Sequence, residues 1–217
     1  MKLSFLLLAF AFPLCLFAQE DNIDTEFNSA DADLSKLYKF SLKATGGIPF
    51  AISNPSFNNV FRGAYSGSLH ADFVVYKSIY AGLYTDYSMF HDSNLRSRSD
   101  VTKNHIFNGG LTVGYEKRVN ENSIISVSAG AGYSALNYKT TYSGRSDVDQ
   151  LNNIKTYNVE FSANYSFIIE EKRAIGLYAK YHIIKDKFDP SSIGFPGNKS
   201  DAYTQFISLG MIITLGI

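Results

Sequence analysis

The chain has 217 residues, in which 20 Lys and Arg balance 20 Asp and Glu, with four His and one Cys. That balance excludes the basic footprint of a nucleic-acid binder, and residues 19–217 hold no apolar run of the ~18 or more residues that a membrane-spanning helix needs. The aromatic residues, 15% of the chain, are Tyr and Phe without a Trp.

Residues 1–18 have the layout of a secretory signal peptide. Lys2 supplies a short positive start, Leu3 to Phe17 is almost entirely apolar, and Ala18-Gln19 resembles a cleavage point. Cys15 could suggest a lipid attachment site, but Leu14 is a poor fit for the small residue wanted before it. Cleavage after Ala18 leaves a chain without thiols or disulfides. Residues 19–36 are acidic and aperiodic, with six Asp and Glu against Lys36. They read as a periplasmic tail before a domain spanning residues 37–217.

That domain alternates with a period of two, the repeat of strands with one face in an apolar medium. Over 37–45, Tyr38, Phe40, Leu42 and Ala44 oppose Lys39, Ser41, Lys43 and Thr45. Over 63–76, Leu69, Ala71 and Phe73 oppose Ser68, His70 and Asp72. A tight turn at Lys77-Ser78 leads to a third segment, in which Ala81, Leu83 and Tyr87 oppose Tyr80, Tyr84 and Asp86. Four further segments follow near 104–116, 124–136, 155–167 and 174–184. The eighth runs to the carboxylate through Ile207, Leu209, Met211, Ile213, Leu215 and Ile217. Connections 46–62, 91–103, 139–154 and 185–201 read as long, and those near 77–78, 117–123 and 168–173 as short. Short periplasmic turns, long external loops and an even strand count are the pattern of a membrane barrel.

A soluble lipocalin-like barrel shares the period with its polar face outward. Three features favour the opposite arrangement. The apolar face carries no Asp, Glu, Lys or Arg, and a Lys or Arg there would cost about 2–4 kcal/mol at the bilayer midplane. The polar face is rich in Gly and Ser, as a narrow interior requires, and the long loops share one end. Tyr38, Tyr65, Tyr87, Tyr115, Tyr157, Phe167 and Tyr181 lie towards strand ends, where an aromatic girdle sits. The expected fold is all-β: an eight-stranded antiparallel up-and-down transmembrane β-barrel, monomeric, in an outer membrane with both termini periplasmic.

The arrangement over residues 37–217 resembles the small outer-membrane β-barrel family with OmpA-like and OmpX-like eight-stranded barrels. The most specific part is the last strand, where Ser208, Gly210, Ile213 and Leu215 match the terminal signal read by the barrel assembly machinery. Ile217 departs from the Phe or Trp with which many members end. The resemblance implies outer-membrane lipid and lipopolysaccharide as surroundings, with no cofactor.

The inward face holds Lys39, Lys43, His70, Asp72, Asp86, Glu116, Glu160, Lys180 and His182. Charges enclosed in so narrow a barrel must pair or stay wet. Folding about the short turns brings Glu160 beside Lys180 and His70 near Asp86. An internal polar network filling the lumen is the expected role, with a path for protons or small solutes as the alternative. Ser68, His70 and Asp86 have the residue types for nucleophilic catalysis, but they point into the lumen, away from any lipid substrate. His105 faces lipid near the outer rim, with no Ser two positions on. Dispersed His with no retained Cys give no metal-ligand spacing. Arg96, Arg98 and Lys103 are candidates for bridging lipopolysaccharide phosphates. The first loop, with Ile48, Phe50, Ile52, Phe57, Val60 and Phe61, is too apolar for a solvated loop; it either folds over the barrel mouth or adds a hairpin.

Overall fold

The computed structural model describes residues 39–92, 101–120, 122–141, 148–170, 172–193 and 197–216. The signal segment, the acidic tail, Arg96, Arg98 and Ile217 lie outside them. Eight strands form: β1 (Phe40–Ser53), β2 (Phe61–Tyr76), β3 (Ile79–Asp92), β4 (Val101–Asn120), β5 (Ser123–Thr141), β6 (Val148–Glu170), β7 (Arg173–Ile184) and β8 (Thr204–Gly216). Each pairs antiparallel with its chain neighbours, and β1 pairs with β8 to close the barrel. Leu42 lies opposite Leu215 and Ala44 opposite Ile213, so the terminal strand is the closing strand.

Closure removes the sheet edges, and with them the rows of unpaired backbone groups that hydrocarbon would penalise. The outward face is apolar around the whole barrel. Leu69 is 62% exposed, Leu111 66%, Tyr133 67% and Leu177 64%, whereas Ser68, Asn108, Glu160 and Lys180 on the opposite face are buried. A soluble protein would place these faces the other way round. Aromatic side chains group near both ends of this outward band: Tyr65 packs on Tyr87, Tyr87 on Phe107 and Tyr133 on Tyr157 towards one end, and Phe40 on Phe73 and Tyr165 on Phe167 towards the other.

Strands on the long-loop side run further than the alternation indicated. Residues 46–53 belong to β1, β5 continues to Thr141, and β6 begins at Val148. On β4 and β5 the outward residues beyond the apolar band, such as Lys103 and Lys139, are charged, so the periodic signal fades there. On β1, by contrast, Ile48, Phe50 and Ile52 continue the outward apolar face past Gly46, Gly47 and Pro49, while ladder pairing satisfies the backbone. The first loop adds no hairpin. It contracts to a short helix, α1 (Pro55–Val60), between β1 and β2. Asn54 starts it with φ 66°, a left-handed conformation Asn tolerates. Its side-chain Oδ1 accepts from Phe57 N at 3.1 Å while its side-chain Nδ2 donates to Ala202 O at 3.2 Å, tying the helix to the chain entering β8.

Candidate functional site

The barrel interior encloses a buried assembly of titratable groups, and it has three levels. Nearest the short turns, Lys43 from β1 reaches Asp72 Oδ2 on β2 at 3.0 Å and Glu116 Oε2 on β4 at 2.7 Å. Its ammonium sits 4.1 Å from the centre of the Tyr80 ring. Gly114 lies opposite Tyr80 on β4, and a Cβ there would come within 2.3 Å of Tyr80 Cζ, so the ring occupies the space its neighbour lacks.

The middle level is organised by Lys180 of β7. Its Nζ lies 2.9 Å from Ser68 Oγ, 3.0 Å from His70 Nε2 and 3.4 Å from Asp86 Oδ2. An ammonium has only donors, so His70 Nε2 accepts and the His70 proton resides on Nδ1. Glu160 Oε2 is 3.9 Å from Lys180 Nζ and 4.0 Å from His182 Nδ1. Asp86 Oδ1 accepts from Asn108 Nδ2 at 3.2 Å, and Asn158 extends the network to Ser134 Oγ at 2.9 Å and to the Tyr84 hydroxyl at 2.5 Å. Two ammonium groups thus stand among four carboxylates, all buried.

The third level changes chemistry. Inward positions towards the long-loop end carry Phe61, Phe90, Ile106, Leu136, Tyr138, Ile184 and Phe206, and they enclose Phe57 and Val60 of α1. Phe188 and Ile193 enter from the connection before β8. Phe57 meets Phe61 at 5.1 Å, Phe90 at 5.1 Å and Phe188 at 5.4 Å between ring centroids, and Tyr138 stacks on Phe188 at 5.6 Å. His182 joins the levels by stacking on Phe206 at 4.4 Å. The interior is a charged network under an aromatic plug.

The structure brings Lys43, Asp72 and Glu116 into one cluster and His70, Asp86, Glu160, Lys180 and His182 into another. Glu160 and Lys180 do meet as the hairpin reading expected, at 3.9 Å, but as diagonal neighbours, and His70 and Asp86 are likewise not directly opposed. Glu160 lies opposite His182, with Lys180 opposite Ser162, and His70 lies opposite Tyr84, with Asp86 opposite Ser68. The β6–β7 turn is only two residues long, and bulges near both turns shift the ladders, one between Val74 and Tyr76 and the other between Ile168 and Glu170. Lys39 is exposed at the end of β1 rather than enclosed. Ser68 and His70 both face Lys180, and Ser68 Oγ also lies 2.6 Å from Thr45 Oγ1. A His whose Nε2 accepts from an ammonium is not placed to take a proton from Ser68.

Lys103 points outward on β4, and Ile213 and Leu215 point outward on β8 beside buried Ser208. The plug was not read from sequence, yet a signal for it exists. At Met89-Phe90, Ile106-Phe107, Ala135-Leu136 and Phe206-Ile207, adjacent residues are both apolar, so both sheet faces turn apolar at one end of four strands.

No protein-family model matches the chain, and no curated protein matches it. Solved structures do. Neisserial surface protein A aligns at 12% identity over 82% of this chain and 97% of its own, with a TM-score of 0.53. OprG from Pseudomonas aeruginosa aligns at 10% identity over 83% of this chain and 98% of its own, with a TM-score of 0.47. Ail, the attachment invasion locus protein of Yersinia pestis, aligns at 12% identity over 82% and 99%, with a TM-score of 0.41. The shared feature is the fold of the small eight-stranded outer-membrane barrels.

Proposed function

We propose that this protein is an integral outer-membrane barrel with a sealed lumen, which serves envelope structure or surface interaction and neither catalyses a reaction nor conducts solutes. The observation that carries this reading is the aromatic plug of Phe57, Phe61, Phe90, Phe188 and Phe206 above the Lys180 network. An ion travelling along the axis would have to leave the polar level and cross packed rings, losing its hydration with no compensating partner. A small pore, the competing reading, needs that level to open.

In this reading the short turns and both termini lie in the periplasm. The α1 side and the four longer connections face outward, as surface elements on a rigid scaffold. The strand with Ser208, Gly210, Ile213 and Leu215 is the segment offered to the assembly machinery, and its pairing with β1 completes closure. Outer-leaflet lipid, including lipopolysaccharide, surrounds the apolar band as partner to a monomer. Arg96, Arg98 and Lys103 are the basic residues assigned to its phosphates.

Expression followed by fractionation tests the location. The protein is expected in the outer-membrane fraction, and unboiled samples should migrate faster on denaturing gels than boiled ones. Recovery in the soluble periplasmic fraction, with no such shift, would defeat the reading.

A further inference from the structure

We propose that the outward face of β2–β5 carries a binding row for the phosphates of an outer-leaflet glycolipid, formed by Arg62, His91, Lys103 and Lys139. The ladder register places them in sequence across four strands: Arg62 opposite His91, His91 opposite Lys103, and Lys103 opposite Lys139. Arg62, Lys103 and Lys139 are exposed and His91 is partly so. None of Arg62, His91 or Lys139 was singled out from sequence, because they are far apart in the chain and only the register aligns them.

Directly opposed residues on one face of an antiparallel pair have Cβ atoms about 4.5–5.5 Å apart, and like charges there repel. Lys103 and Lys139 form such a pair. Relief does not come from the same face, since the described outward positions of β2–β5 include no Asp or Glu; Asp72, Asp86, Asp92 and Glu116 all point inward and are buried. The row therefore presents positive charge that calls for an external anion.

Position selects the anion. Just below the row, towards the apolar band, Tyr87 holds His105 Nδ1 at 2.6 Å and approaches the Tyr65 hydroxyl at 3.4 Å. Tyr hydroxyls and rings at this level mark the boundary between hydrocarbon and headgroups. Basic side chains directly above such a belt meet headgroup phosphates. Arg62 Nη1 is held by Asn58 O and Oδ1, and His91 Nδ1 lies 3.2 Å from Arg62 O, where it can only donate. These contacts orient both side chains and use no carboxylate. An Arg with further N–H groups, in one row with a His and two Lys, suits phosphate oxygens.

The inference rests on the membrane reading above, and the test separates the two. The refolded full chain, in a neutral detergent, is mixed with bis-phosphorylated lipid A or with the same lipid stripped of both phosphates, and retained lipid is read by native mass spectrometry. The wild type should retain the phosphorylated lipid at least about tenfold better than the stripped one. A Lys103→Gln/Lys139→Gln variant should lose that preference, and Lys103→Arg/Lys139→Arg should keep it. Lys77→Gln/Lys172→Gln, at the opposite end, should behave as wild type. Equal retention of both lipids, or an unchanged preference in the Lys103→Gln/Lys139→Gln variant, would overturn the row. Displacement of the lipid by millimolar inorganic phosphate would overturn the choice of a glycolipid source. A wild type that yields no fast-migrating folded band would defeat the membrane reading itself, and this inference with it.

Discussion

Lys180 Nζ of β7 stands 3.4 Å from Asp86 Oδ2 of β3, across the barrel interior and 94 residues away in the chain. The contact ties together strands that are not ladder neighbours, so the network braces the barrel in a direction that backbone pairing does not. Glu160 approaches the same ammonium at 3.9 Å. Removing the cation leaves two buried carboxylates facing each other.

Replacement of Lys180 by Met should therefore cost about 3–5 kcal/mol, the usual consequence of stripping one partner from a buried charge cluster. Urea unfolding in lipid vesicles, followed by the gel shift, measures it. A Lys180→Met/Asp86→Leu variant should recover part of the loss, since one stranded carboxylate leaves with its partner.

Gly114 and Tyr80 should behave as a coupled pair. Gly114→Ala places a methyl where the Tyr80 ring lies, with an expected loss of about 1–3 kcal/mol from overpacking. In a Tyr80→Ala background the same change should cost far less. A double-mutant cycle giving no interaction energy between the two sites would show that the ring does not fill the space at Gly114.

Strand count and facing were legible in the sequence because an apolar surroundings imposes period two wherever the outward face is apolar, as from Ile207 to Leu215. The exact ladder register was not, because one bulge near a turn moves every opposed pair: Glu160 stands directly opposite His182 and reaches Lys180 only diagonally. The plug was hidden for a different reason. Phe90, Ile106, Leu136 and Phe206 occupy the same inward phase as Asp86, Asn108, Ser134 and Ser208. A change from polar to apolar along the inward face, beside outward residues that are still apolar at Met89, Phe107, Ala135 and Ile207, looks like a lapse of alternation unless several strands lapse together. The cationic row was invisible for the same reason as the register that forms it.

Phe57 should be the keystone of the outer end. It is fully buried and contacts Phe61, Phe90 and Phe188. Truncation to Ala should remove about 3–5 kcal/mol of packing from the plug and loosen it locally. Limited proteolysis of vesicle-inserted protein distinguishes local opening: accelerated cleavage within residues 54–60, with the barrel still folded, is expected.

Asp186, above the rim between β7 and β8, gives a pH dependence with a definite sign. Burial pushes its carboxyl above the usual range, against the opposing pull of Lys199 and a backbone hydrogen bond from Lys187. Because the folded state disfavours the ionised form, stability is fully present below the unfolded-state value of about 3.9 and is lost as pH rises from there through the raised folded value. Asp186→Asn should abolish this loss, making the variant more stable than wild type at neutral pH and equal to it in acid. Unfolding midpoints at pH 3 and pH 7 check both arms.

Conductance tests the sealed lumen most directly. Purified, refolded protein is added to a planar bilayer at neutral pH and moderate salt, with insertion verified by the gel shift of parallel vesicle samples. The expected record is silent for the wild type, with unitary steps appearing only when the plug is opened by a Phe57→Ala/Phe188→Ala variant. Stable, reproducible steps from the wild-type barrel would contradict the closed interior and favour a pore.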